Sequence, residues 1–156
     1  MRKRSKYRPK PIIQNPVAYA IESVTRLADH GEAIDLKIKN HFALDELRRG
    51  QGTRQDFDVL VAAFNVTEAL AKQKLGDDWS EEIRAAQDAL YTMGKRALAK
   101  DMKFVFTGPE IKAINLGMQI HDSQLDACTI GELEKAIAYV RECLRNKRAR
   151  PIVEKV

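Results

Sequence analysis

TRQDFDVLVAAFNVTEALAKQKLG, residues 53–76, carries a complete helix with its own start and stop. Thr53 followed three residues later by Asp56 has the form of a capping box. In that box the hydroxyl accepts from one free backbone N–H of the first turn and the acid accepts from another. Phe57, Leu60, Val61, Phe64, Ala71 and Leu75 then recur at three- and four-residue spacing, which is one stripe of a helix. Gly76 offers the left-handed residue on which such a helix ends. A helix with one apolar stripe must bury it, so this stretch asks for further helices rather than a sheet.

The same punctuation recurs along the chain. Asn15-Pro16 reads as a cap followed by proline at the first helical position. Asp78-Trp79-Ser80-Glu81, Thr107-Gly108-Pro109-Glu110 and Thr129-Ile130-Gly131-Glu132 repeat the capping-box form, and Gly31 and Gly50 read as further stops. Ile111, Ile114, Met118 and Leu125 make a stripe, as do Leu133, Ala136, Ile137, Val140 and Leu144. These signals predict helices over 16–29, 32–49, 54–75, 79–99, 108–127 and 130–147. The connections are short, so neighbours should pack as antiparallel hairpins. Lys103-Phe104-Val105-Phe106 is the one β-like run. It is too short to make a sheet alone and reads as an extended linker that buries Phe104 and Phe106, a strand pairing across a dimer being the alternative. The expected fold is all-α: a compact bundle of about six helices joined by short loops. Its organisation is a basic extended tail at 1–14, a single helical domain at 15–147 and a basic C-terminal tail at 148–156.

At 156 residues, with 44% hydrophobic and 31% charged residues, a single domain can form its own core. Only 6% of the residues are aromatic, so that core is aliphatic. Cys128 and Cys143 are too few for a disulfide framework or a cysteine-only zinc site, and are expected as reduced thiols. There is no apolar run of membrane-spanning length, and the basic start has no apolar segment after it, so a cytoplasmic protein without membrane association is expected. Glycine-rich phosphate loops, dinucleotide fingerprints, zinc-finger spacings and His-Glu-x-x-His are missing, and no cofactor is expected.

The net charge of +5 is unevenly spread. Residues 1–10 hold Arg2, Lys3, Arg4, Lys6, Arg8 and Lys10 with no acid, and residues 141–156 add a net +4. Residues 11–140 are therefore at −5: an acidic body with basic ends. A body of that sign repels phosphate, whereas the ends attract it and release counterions on contact. Tyr7 is placed to stack on a base. The candidate contact residues for DNA or RNA are thus Arg2, Lys3, Arg4, Lys6, Tyr7, Arg8 and Lys10, with Arg145, Lys147, Arg148 and Arg150. An acidic protein partner, including the body of a second copy in a homo-oligomer, would suit the same ends. The turn at Gly50-Gln51-Gly52 also admits a helix-turn-helix reading, but Asp56 and Asp58 at the start of its second helix would face phosphate badly.

Polar residues interrupt the apolar stripes at three places. Asn40 and His41 lie among Ile34, Ile38, Leu44 and Leu47; Glu68 lies between Phe64 and Ala71; His121 lies between Met118 and Leu125. A buried carboxylate must be paired, and either histidine would serve Glu68. The expectation is a buried polar network of Asn40, His41, Glu68 and His121 that fixes helix register. A ligand or metal site built on His41, Glu68 and His121 is the sharper alternative. Ser123 and Cys128 stand near His121 as weak nucleophile candidates, and Asp122 faces a different side of the helix from His121.

Five stretches carry a resemblance. They are KYRPKP (6–11), LKIKNHFALDELRRGQGTRQDFDVLVAAFNVTEAL (36–70), EIRAAQDALYTMGKR (82–96), INLGMQIHDSQLDACT (114–129, with Ile114 where the pattern has Leu) and RARPIVEK (148–155). Together they resemble a family of small, largely uncharacterised proteins from bacteriophages and prophages of Burkholderia, Pseudomonas and related bacteria, sometimes labelled Fis-family transcriptional regulators. A Fis-type C-terminus is a basic helix-turn-helix pair, whereas this one reads as a single helix followed by Arg148-Ala149-Arg150-Pro151. The resemblance implies a phage or prophage origin and a bacterial cytoplasm, and no catalytic residues. The function expected from the sequence is a non-enzymatic accessory or regulatory protein acting by binding, its body self-associating or docking on a host protein.

Overall fold

A computed structural model of the chain describes residues 31–146 together with Val24, Arg26 and Leu27. The described residues are all-helical, with α1 (Gly31–Arg48), α2 (Arg54–Lys72), α3 (Ser80–Leu98), α4 (Gly108–Ala127) and α5 (Ile130–Arg145), and one 3-10 turn at Asp77–Trp79. Five helices stand where six were expected: the helix expected over 16–29 lies outside the described residues, except for the three named above.

Three of the expected capping boxes form. Thr53, Thr107 and Thr129 each accept from the backbone N–H three residues on, while Asp56, Glu110 and Glu132 accept from the cap N–H. The fourth does not. Asp77–Trp79 coil into a 3-10 turn, Trp79 takes the cap position of α3 without a side-chain bond, and the Ser80 hydroxyl donates to the Asp77 carbonyl. The glycine stops are also redistributed. Gly50 closes α1 at φ +75°, with its N–H on Leu47 O and the Gln51 N–H on Glu46 O. Gly31 instead begins α1. Lys74, at φ +70°, ends α2 through the Lys74 and Leu75 N–H groups, so Gly76 is left to enter the 3-10 turn.

Helix α2 is the centre of the bundle and packs against all four others. One core gathers Leu44 and Leu47 of α1, Phe57, Leu60 and Phe64 of α2, Leu90 and Met93 of α3, and Ile114 and Met118 of α4. A second gathers Ala69 and Leu70 of α2 with Leu125, Cys128, Leu133 and Ala136, and takes in Leu27. The Leu27 N–H donates to Cys128 O at 3.0 Å, which ties the N-terminal side of the chain to the α4–α5 connection. Residues 103–106 form the expected extended linker, with no strand. Phe104 is buried and stacks on Phe57 at 5.2 Å between centroids, Phe106 is half-buried, and Val105 is exposed.

Three helices crowd together at Gly117 of α4. A Cβ there would lie 2.7 Å from the Ala86 Cβ on α3 and 3.1 Å from the Phe64 ring on α2. Three helices meet at this point because two of them present almost no side chain. Gly117→Val should therefore destabilise the protein by about 1–3 kcal/mol through overpacking, lowering Tm by several degrees in thermal circular dichroism. Gly108→Ala, where a Cβ meets open space, should leave Tm nearly unchanged.

Candidate functional site: a polar seam between α1, α2 and α4

Arg2, Lys3, Arg4, Lys6, Tyr7, Arg8, Lys10, Lys147, Arg148 and Arg150 lie outside the described residues. Arg145 is described: it is exposed in the last turn of α5, where the second basic run begins.

The interrupting polar residues lead to a seam where α1 and α2 meet α4. His121 is buried, and its Nδ1 lies 2.8 Å from the Thr67 hydroxyl. That hydroxyl also donates to the Ala63 carbonyl at 2.9 Å. A hydroxyl has one proton, so the Nδ1–H of His121 donates to Thr67 and Thr67 donates to Ala63. One turn further along α4, Gln124 Nε2 donates to the carbonyls of Thr67 and Leu75 at 3.0 and 2.7 Å. Burial pushes the His121 imidazole down to about 4; Asp122 opposes that fall, and His41 and Lys37 add to it. His121 is thus neutral at pH 7.

Asp122 does face away from His121. It looks toward α1, where it accepts from His41 Nε2 at 2.7 Å. Beside it, Asp126 accepts from the Lys37 ammonium. His41 itself is half exposed. Asn40 is buried on the inner side of α1. The Asp122 Oδ1 and Gln124 Oε1 atoms are buried without a protein hydrogen-bond partner.

The expected four-residue network is therefore divided. Glu68 does not reach either histidine. It is part-exposed, accepts from Gln87 Nε2 of α3 at 3.1 Å, and stands 3.9 Å from the Lys72 ammonium. It borders an open groove of about 440 Å³ between α2 and α3, with Lys72, Lys74, Asp77 and Arg84. The reason is angular. The buried face of α2 centres near Thr67, and Glu68 is one residue, about 100°, further round the helix. Thr67 was the missed core polar residue, and its spacing from Phe64 and Ala71 carries the signal.

A second tie was missed as well. Arg96 of α3 donates from both terminal nitrogens to Glu110 of α4, at 3.0 and 2.7 Å, and from one of them to Val105 O at 2.6 Å. Burial pushes the Glu110 carboxyl up, but the bonds from Arg96 and the Thr107 N–H outweigh it, so Glu110 sits below the usual carboxylate range. The capping box of α4 is thereby anchored to α3 and to the linker.

Ser123 donates to the Gln119 carbonyl of its own helix and is exposed. Cys128 is buried, its thiol pushed up by burial and by Glu132. Both cysteines are free thiols. Among the described residues no three His, Cys, Asp or Glu side chains are arranged to hold a metal ion, and no helix is long and apolar enough to cross a membrane. The described seam is suited to fixing how α1, α2 and α4 sit on one another. No family model, curated protein or solved structure matches the chain.

The seam makes stability depend on pH. An unfolded histidine titrates near 6.5 and His121 in the fold near 4, so acid favours the unfolded chain. The stabilising contribution is complete above pH 6.5 and is lost as pH falls toward 4. Urea unfolding at pH 7.5 and pH 5 should differ by roughly 2 kcal/mol from this residue, and His121→Gln should flatten that slope. An unchanged slope in the variant would remove His121 as its source.

Proposed function

We propose that this is a non-enzymatic binding protein of phage or prophage origin, working in the bacterial cytoplasm, whose basic ends contact nucleic acid. One observation carries the reading: the ends hold +10 and residues 11–140 hold −5. Six of those positive charges fall in the first ten residues with Tyr7 among them, which suits phosphate contact with base stacking. The exposure of Arg145 on the last turn of α5 is in keeping with a second basic run that starts at the surface. The body serves as a carrier for these ends rather than as a reader of bases, since its own charge opposes phosphate. The resemblance to phage and prophage proteins supports the biological setting.

Fluorescence anisotropy with labelled DNA and RNA tests this, using the intact protein and one lacking residues 1–10. The intact protein should bind, and its affinity should fall roughly a thousandfold between 50 and 200 mM salt if all six cations meet phosphate. The shortened protein should bind far more weakly with a shallower salt slope. Equal, salt-independent binding by both would overturn the reading. So would the absence of binding by the intact protein, which would leave an acidic protein partner as the occupant of the basic ends.

A further inference from the structure

Helix α1 is apolar on two faces. Ala33, Ala43, Leu44 and Leu47 are buried in the bundle. Ile34, Ile38 and Phe42 are 59%, 62% and 63% exposed. At about 100° per residue the two sets lie on nearly opposite sides of the helix. A helix with one covered face and a polar back is the usual surface pattern, whereas apolar residues on both sides mark a helix packed on both sides. The three exposed residues form one continuous row rather than scattered single side chains.

Two features say what covers the row. First, it is symmetric about Ile38, with one large side chain four residues before and one four residues after. A two-fold axis beside Ile38 sets Ile38 on its own copy, Ile34 on Phe42 and Phe42 on Ile34, so that one i±4 ridge packs against its equivalent. Second, the charges fit that axis. Asp35 and Lys39 edge the row on one side, and among the described residues neither has an ion-pair or hydrogen-bond partner. In an antiparallel pair equivalent edges face each other, which brings Asp35 of each copy toward Lys39 of the other. The opposite edge holds Lys37 and His41, which α4 already engages through Asp126 and Asp122.

We propose that α1 is the interface of a symmetric homodimer, two copies pairing antiparallel across Ile34, Ile38 and Phe42 with reciprocal Asp35–Lys39 ion pairs. A stable interface hides about 800 Å² on each partner, with an apolar centre and a polar rim. The row supplies the centre, and Asp35, Lys39 and the adjoining Asp45–Arg49 pair supply the rim. This inference is independent of the nucleic-acid reading, and the two fail separately.

Sedimentation velocity of the full chain, from low micromolar concentration upward, reads it. The unaltered protein should sediment as a dimer. Ile38→Glu should sediment as a monomer with unchanged helical signal and Tm, because position 38 is exposed. Asp35→Lys should weaken the dimer about tenfold by opposing Lys39 with like charge at two sites, and adding Lys39→Asp should restore it. Deletion of residues 1–10 should leave the dimer intact. A monomer at every concentration, or a dimer that survives Ile38→Glu, overturns the proposal. A dimer lost on removing the tail also overturns it, since the tail would then be the contact. Failure of the double substitution to recover affinity overturns the antiparallel register.

Discussion

Thr67 lies in α2 with no solvent exposure, and its hydroxyl has one proton to donate and lone pairs to fill. The α2 helix packs against every other described helix, so whatever sits at its centre fixes the spacing of all of them. The proton goes to Ala63 within α2, and the lone pair takes the Nδ1–H of His121 from α4. A shift of α4 along α2 by even part of a turn would leave a buried imidazole and a buried hydroxyl unsatisfied, which costs more than a neutral apolar contact gains. Gln124 reinforces the same register by closing on the carbonyls of Thr67 and Leu75. The apolar residues supply the drive to collapse, and this small set of bonds selects one packing from the several that aliphatic side chains would accept.

Much of the fold was legible because helices announce their ends locally. Three Thr-x-x-acid boxes set the starts of α2, α4 and α5, since cap chemistry involves residues three apart. Where the reading failed, distant parts of the chain had decided. Asp78 had the right spacing to cap α3, but the turn entering through Gly76 coils residues 77–79 and takes that role away. Glu68 fell on the stripe drawn through Phe57, Leu60, Val61, Phe64, Ala71 and Leu75. Ala63 and Leu70, left out of it, pull the centre of burial round to Thr67. The pairs His41–Asp122, Lys37–Asp126 and Arg96–Glu110 join different helices, and periodicity within one helix holds no information about its partner. The basic ends, read from charge alone, stand outside the described residues.

Helix α1 shows how these ties divide labour. Its inner face is held by Leu44 and Leu47 in the core, and one edge is held by the Lys37–Asp126 ion pair and the His41–Asp122 hydrogen bond to α4. That leaves Ile34, Ile38 and Phe42 turned outward on a helix that cannot roll to hide them, because rolling would pull Leu44 and Leu47 out of the core as well as Lys37 and His41 off their acids. The exposure of the row is thus enforced by the same contacts that seat the helix. A free amphipathic helix would turn its apolar residues inward, whereas this one is fixed with both faces defined.

The charges separate into two populations with different responses to salt. Most of the described ion pairs have exposed members and contribute about 0–1 kcal/mol each, a quantity that salt screens. Arg96–Glu110 is the least exposed of them, bidentate, and backed by backbone bonds from Thr107 and to Val105, so it is screened far less. The bundle otherwise rests on apolar contact and on neutral hydrogen bonds. Moderate salt should therefore act strongly on contacts made by the basic ends and weakly on the fold that carries them. The apolar centre of the row on α1 is not screened and is strengthened by excluded salts such as sulfate, while its Asp35–Lys39 rim weakens with salt as other exposed pairs do. Salt therefore acts far more steeply on a contact made by the tails than on one made by α1.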